Sequence, residues 1–241
     1  MLGVILATVS ACGGGDSGGG GSDVRTSAEA IEPEAQQRAE SIVLKLSDFP
    51  TGWRGSAPEG SDDDDDGFRE CVGTDYSALT RIADAESHDF SMGESAEVTS
   101  DVAIFKDEQQ ASDALAEFSK GMNGTAAEDC FQDRIEKAAR DESTGSDEFN
   151  FGEVDIGQLN IKRPEKVEDT AAWQIVVPVE ITSGVGEGFT PSFYIEYIAL
   201  REGDAVAYVT TQDSFDPLDS GLRDKLVATT AGRMEESATS K

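Results

Sequence analysis

The sequence predicts an α+β fold, a single domain in which an antiparallel sheet meander carries helices packed on it. Three observations predict it. Most of residues 149–212 alternate apolar and polar with a period of two, in several short runs. Stretches before and after that region repeat apolar residues every three to four positions, the stripe a helix buries. A meander of strands set between helices is the α+β arrangement, with the helices packed on the sheet.

The first helix is expected over residues 31–46, with Pro33 near its start and Ile42, Val43 and Leu46 at helical spacing. It ends at Ser47-Asp48-Phe49-Pro50-Thr51-Gly52-Trp53, a turn with proline and glycine on either side of Thr51. Residues 60–67, with five consecutive aspartates, read as a solvated loop. Residues 98–105 form a strand around Val102, Ile104 and Phe105. Asp107 then caps a helix running through Met122, with Ala111, Leu115 and Phe118 on one face. After Asn123-Gly124 a further helix covers about 126–140, its apolar side made by Cys130, Phe131, Ile135 and Ala138.

The second half changes period. Residues 149–161 read as one strand with a bulge near Gly157. Trp173, Ile175, Val177, Val179 and Ile181 alternate without a fault, and Pro178 among them signals an edge strand or a bulge. Two more strands, 190–201 and 205–212, join at Glu202-Gly203-Asp204, a hairpin turn. Pro217 opens a last helix with Leu218, Leu222, Leu226 and Thr229 on one face.

Composition sets limits. With 49 acidic and 19 basic residues the formal charge is −30. So acidic a surface repels nucleic acid and anionic head groups, which excludes binding to either through a generic basic patch. Disorder is the competing reading of such charge, and it fits the glycine-rich start and the aspartate run better than the patterned half. Acidic, lysine-poor surfaces also suit saline surroundings, where counterions screen self-repulsion.

The N-terminus carries an address. Residues 2–11 are an apolar run ending Val9-Ser10-Ala11-Cys12, too short for a membrane span of about 20 residues and of the length of a signal-peptide core. The small residues before the cysteine resemble the bacterial lipobox. That resemblance implies a diacylglyceryl group on Cys12, cleavage after residue 11, and a lipid-anchored protein on the outer face of the cytoplasmic membrane. No Lys or Arg precedes Cys12, so the reading expects a translation start upstream of Met1. The division is therefore leader 1–11, lipidated Cys12 and Gly/Ser tether to residue 30, folded domain 31–236, and tail 237–241.

Two cysteines remain, Cys71 and Cys130, and in an oxidising space they pair as a disulfide, the alternative being two free buried thiols. With His88 as the single histidine, a zinc site has too few ligands, and no Ser or Cys motif accompanies His88 for nucleophilic catalysis. The aspartates, Asp62, Asp64 and Asp66 among them, offer a calcium option, although their spacing is not that of an EF-hand. No catalytic residue and no cofactor is assigned. Trp53, Trp173, Tyr194 and Tyr197 are the expected lining of a ligand pocket, with Phe193 and Tyr208 beside them; the competing reading makes them sheet core.

Leu44-Lys45-Leu46-Ser47-Asp48-Phe49-Pro50-Thr51-Gly52-Trp53 resembles an opening common in actinobacterial lipoproteins and sensor-type domains. Val102-Ala103-Ile104-Phe105 with its following helix, and the strand-turn-strand from Tyr197 to Ala207, extend the likeness. The resemblance implies an extracellular domain of the PknH sensor type, or a Mog1/PsbP-like lipoprotein, binding a ligand in a cleft over the sheet. The PknH type carries two disulfides, whereas this chain can form one. The expected function is a non-enzymatic, membrane-anchored binding or sensing module for a small or envelope-derived ligand. The competing readings are an envelope protein that docks another protein and, third, a hydrolase with unidentified carboxylates. Oligomeric state is left open.

Overall fold

A computed structural model describes residues 32–57, 70–74, 76–93, 95–141, 149–182 and 188–239. The leader, Cys12, the tether and the aspartates at 62–66 lie outside the described residues. Four long strands form the centre: β4 (Ala96–Phe105), β9 (Ala205–Asp213), β8 (Ser192–Glu202) and β7 (Asp169–Ile181), each antiparallel to the next in that order. Two short strands, β2 (Arg81–Glu86) and β3 (Asp89–Met92), lie end to end along the outer edge of β4. β5 (Phe149–Phe151) and β6 (Asp155–Gln158) do the same along β7. β1 (Arg54–Ser56) pairs with β3, completing a nine-stranded sheet.

Successive side chains of a strand face opposite sides, so each central strand feeds two cores. On one face α1 (Pro33–Ile42) and α4 (Ser220–Ala238) lay Ala39, Ile42, Leu226 and Met234 against Val98, Val102, Ile104, Ile198, Leu200 and Val209. On the other, α2 (Glu108–Met122) sets Leu115, Phe118 and Met122 on Trp173, Ile175, Val177 and Ala199. α3 (Thr125–Asp141) adds Phe131 and Ile135 there. The result is an α+β domain with helices on both faces of an antiparallel sheet. Each fully buried Leu, Ile or Phe contributes about 1.5–3 kcal/mol over its exposed state. No helix among the described residues is long and apolar enough to cross a membrane.

Local chemistry sets the ends of these elements. The Asp107 carboxylate accepts from the Gln110 N–H at 2.9 Å and starts α2. Gly203, at φ +57°, takes the left-handed turn position between β8 and β9, where a side chain would be strained. Pro178 sits inside β7 rather than at an edge. The Val179 N–H donates to Pro191 O on the β8 side, so the backbone of Pro178 faces the opposite side. There it meets the break between β5 and β6, and its carbonyl accepts from the Gly152 N–H at 2.7 Å. The missing proline donor therefore costs the sheet no hydrogen bond.

Several expectations are corrected. Residues 149–161 make two short strands broken at 152–154, not one strand bulged at Gly157. α1 stops at Ile42, and Leu46, expected on its buried face, is exposed in a short 3-10 turn, Leu46–Asp48. α4 begins at Ser220, capped by Asp219, rather than at Pro217, and buries Thr230 in place of Thr229. It runs to Ala238, so Ser237 and Ala238 close the helix. β1, β2 and β3 had no counterpart in the sequence reading.

Candidate functional site

The four aromatics expected to line a pocket separate onto the two faces of the sheet. Trp53 is buried with Phe49 and Phe90, their ring centroids 4.8 and 4.5 Å from Phe49, in the α1/α4 core. Tyr194, half-buried, points to that face because it is in phase with Glu196 and Ile198. Trp173 lies opposite Tyr197 in the β7–β8 register, on the α2 face. It packs edge-on to Phe118 at 5.3 Å and donates its indole N–H to Asn123 Oδ1 at 3.3 Å. Trp53 and Trp173 thus belong to two different cores. A shallow, open depression lies elsewhere, lined by Lys106, Asp107, Glu108, Gln109 and Asp204.

Cys71 and Cys130 form a disulfide, with Cα atoms 5.1 Å apart and a sequence separation of 59. It ties the short segment at 70–73 to α3. The same segment presses on α2, where Val72 O lies 1.9 Å from the position a Cβ would take at Gly121. His88 is exposed between β2 and β3, its ring 6.5 Å from that of Phe90. No group of three metal-binding side chains occurs among the described residues.

Two polar clusters escaped the sequence reading. Glu196 is fully buried in β8. Its Oε1 accepts from Arg223 at 3.0 Å and Gln174 at 3.2 Å, and its Oε2 accepts from the Thr211 hydroxyl at 3.2 Å. Both oxygens are engaged, so the carboxylate is held in a clamp that pins the first turn of α4 to the sheet. The signal was available: Glu196 stands in phase with the buried Ile198 and Leu200. The second cluster centres on Asp48 of the Asp-Phe-Pro turn. Its carboxylate accepts two hydrogen bonds from Arg233, both 2.9 Å, and its carbonyl accepts from Lys225 at 2.7 Å. Arg233 also donates to Val43 O at 2.8 Å. The turn therefore serves as a strap holding α4 to the start of the domain, and its aromatics fill the core beneath.

The two ends of the sheet differ in chemistry. At one end the Glu32 N–H donates to Ile82 O, the Phe105 N–H to Asp204 O, and Arg38 meets both Ser237 Oγ and Asp204. The start of α1, the end of α4 and the β8–β9 turn therefore share this pole. It is crowded with ion pairs: Arg201 with Glu168 and Asp169, both at 2.5 Å, and Lys166 with Glu235 at 2.6 Å. Partial burial, then the negative charge of Glu168, pushes the Glu202 carboxyl above its ordinary value.

The opposite pole carries apolar side chains in the open. Met92 ends β3 at 46% exposure, Phe215 follows β9 at 52%, and Phe189 on the β7–β8 connection stands at 53%. Register places the end of β3, the end of β9 and the start of β8 at this one end of the sheet: Met92 pairs with Ala96, Ala96 with Asp213, and Asp213 with Tyr194. From β3 to β7 is four strand spacings, about 20 Å. Half-buried Phe193 and Tyr194 start β8 between the two phenylalanines. Leu46, the one other large apolar residue among those described as exposed, lies on the helix side near Asp48.

No family model matches the sequence, and no curated protein matches it. Among solved structures the chain is similar to the extracellular domain of PknH from Mycobacterium tuberculosis. The TM-score is 0.34 and the identity 10%, over 88% of this chain and 100% of that one. Nothing about ligand or partner passes from that protein to this one on such a likeness.

Proposed function

We propose that the chain is a lipid-anchored, extracytoplasmic, non-catalytic binding module that docks a protein through the pole bearing Met92, Phe189 and Phe215. The observation carrying this reading is the asymmetry of the ends. The described domain starts at one pole, so a tether from Cys12 would leave from there. The exposed apolar side chains lie at the other, a strand length of about 35 Å away. Met92, Phe189 and Phe215, each about half exposed, are large apolar side chains that this pole presents to solvent. Of the aromatics that would have favoured enclosing a small ligand, Trp53 packs in one core and Trp173 and Tyr197 in the other. Docking therefore replaces ligand capture as the preferred reading, and sensing would mean reporting that docked partner.

Host-purified protein tests it. The wild-type chain should fractionate with membranes and the Cys12→Ala chain with the soluble fraction. Native mass spectra of the released protein should then show an added mass the size of a protein. A bound compound below about 1 kDa, in the size class of enclosed small ligands, would instead favour capture in a pocket. Unchanged fractionation of Cys12→Ala would remove the anchor.

A further inference from the structure

Three kinds of surface cover an exposed apolar patch: a membrane, a second copy of the chain, or a different protein. We infer that the occupant of the distal pole is a protein segment that is both apolar and cationic, with Lys or Arg flanking the side chains that meet Met92, Phe189 and Phe215. The inference rests on the docking reading above and names the partner's chemistry.

Charge makes the choice. The chain carries a formal −30, so two copies meeting pole to pole, or one copy meeting an anionic bilayer, would bring like charges together across a short gap. Such juxtaposition opposes association at ionic strengths where the screening length is about 10 Å. The pole repeats the sign of the whole. Exposed Glu180 lies beside the β7–β8 connection, and Asp216 follows Phe215 directly. Asp213 accepts from the Phe215 N–H at 3.2 Å, and Asp219 caps α4 close by. Of the nearby cations, Arg223 is taken up by buried Glu196 and Lys225 donates to Asp48 O, while exposed Arg54 faces Ser91 beside Met92, so carboxylates outnumber the exposed cations around the pole. An apolar centre rimmed by carboxylates favours a partner with the opposite rim, because charges of the wrong sign at the edge slow encounter and select against it.

Binding of synthetic peptides to the full chain tests the inference by fluorescence anisotropy. A peptide of alternating leucine and lysine should bind, with affinity falling as salt rises. The variant Met92→Ser/Phe189→Ser/Phe215→Ser should weaken that binding about tenfold or more, as loss of central apolar anchors does. Leu46→Ser, which removes an exposed leucine away from the pole, should leave it unchanged. The three serines replace exposed side chains, and an unaltered thermal midpoint verifies folding; Phe189→Ser and Phe215→Ser singly stand in if the triple variant is unstable. Equal weakening by Leu46→Ser, or none from the triple variant, would overturn the pole as the site. Equal binding of a leucine–aspartate peptide, binding to phosphatidylglycerol vesicles, or self-association in sedimentation would overturn the cationic partner. If host-purified protein carries a protein-sized adduct that the leucine–lysine peptide fails to compete away, the partner's chemistry fails while docking stands. If it carries no such adduct, docking itself fails.

Discussion

Gly121 sits in α2 where alanine would ordinarily gain about 1 kcal/mol, since glycine gives up more conformational freedom in a helix. Here the sign reverses. A Cβ would stand 1.9 Å from Val72 O and 2.5 Å from Val72 Cγ1, and a backbone carbonyl cannot rotate out of the way. Gly121→Ala should therefore destabilise the domain by about 3 kcal/mol, the cost of overpacking a tight contact. Urea unfolding measures it, and a midpoint equal to or above wild type would contradict the packing described. At this scale the sequence was legible where a residue's role is local. Asp107 as a cap and Gly203 in its turn were read correctly because a side chain or a φ angle two or three residues away decides them. Gly121 and Asp48 were not, because their partners Val72 and Arg233 come from elsewhere in the chain and no local pattern announces them; Glu196 was missed although its phase with Ile198 and Leu200 marks it as buried, because its partner Arg223 comes from α4. In the aromatic quartet, Tyr194 and Tyr197 are three apart on one strand and face opposite sides by its period of two alone, whereas the core that Trp53 joins depends on packing from elsewhere in the chain.

The disulfide acts between elements. It joins the segment at 70–73 to α3, and that segment also wedges against α2 through Val72. Cutting the bond frees a loop of about 60 residues in the unfolded chain, which loop entropy values at about 4 kcal/mol. The wild-type chain should unfold at a clearly lower urea concentration with reductant present, and Cys71→Ser/Cys130→Ser should match the reduced protein. Equal midpoints with and without reductant would contradict a stabilising bridge. Long elements with a strong period were legible: β7, β8, β9 and α2 stand close to where the sequence placed them. The missed strands share a physical cause. β2 reads Arg-Ile-Ala-Asp-Ala-Glu and fully buries just Ala83, while β1 and β3 are three and four residues long. β2 and β3 become strands because β4 offers them an edge, and β1 because β3 offers it one, not because their own residues demand it.

At the scale of the whole molecule the strand order decides what is presented to the outside. Running β4, β9, β8 and β7 antiparallel gathers the tight β8–β9 turn, the start of α1 and the end of α4 at one pole. It gathers the end of β3, the β7–β8 connection and the approach to α4 at the other. The first pole is spent on ion pairs that hold the helices to the sheet. The second leaves Met92, Phe189 and Phe215 in solvent amid carboxylates. None of this polarity is visible in sequence order, since the three residues lie far apart in the chain and each is an unremarkable apolar residue near a turn. The charge that narrows the partner was legible from composition, while Val9-Ser10-Ala11-Cys12 and the glycines after it, on which the proposed tether rests, lie outside the described residues.

Photo-crosslinking in the intact host tests docking through the distal pole most directly, with a photoreactive phenylalanine analogue placed in turn at Phe189, Phe215, Lys106 and Leu46. The polarity described here predicts one protein-sized adduct shared by positions 189 and 215 and absent from positions 106 and 46. Equal adducts from all four positions, or adducts from position 106 alone, would contradict it.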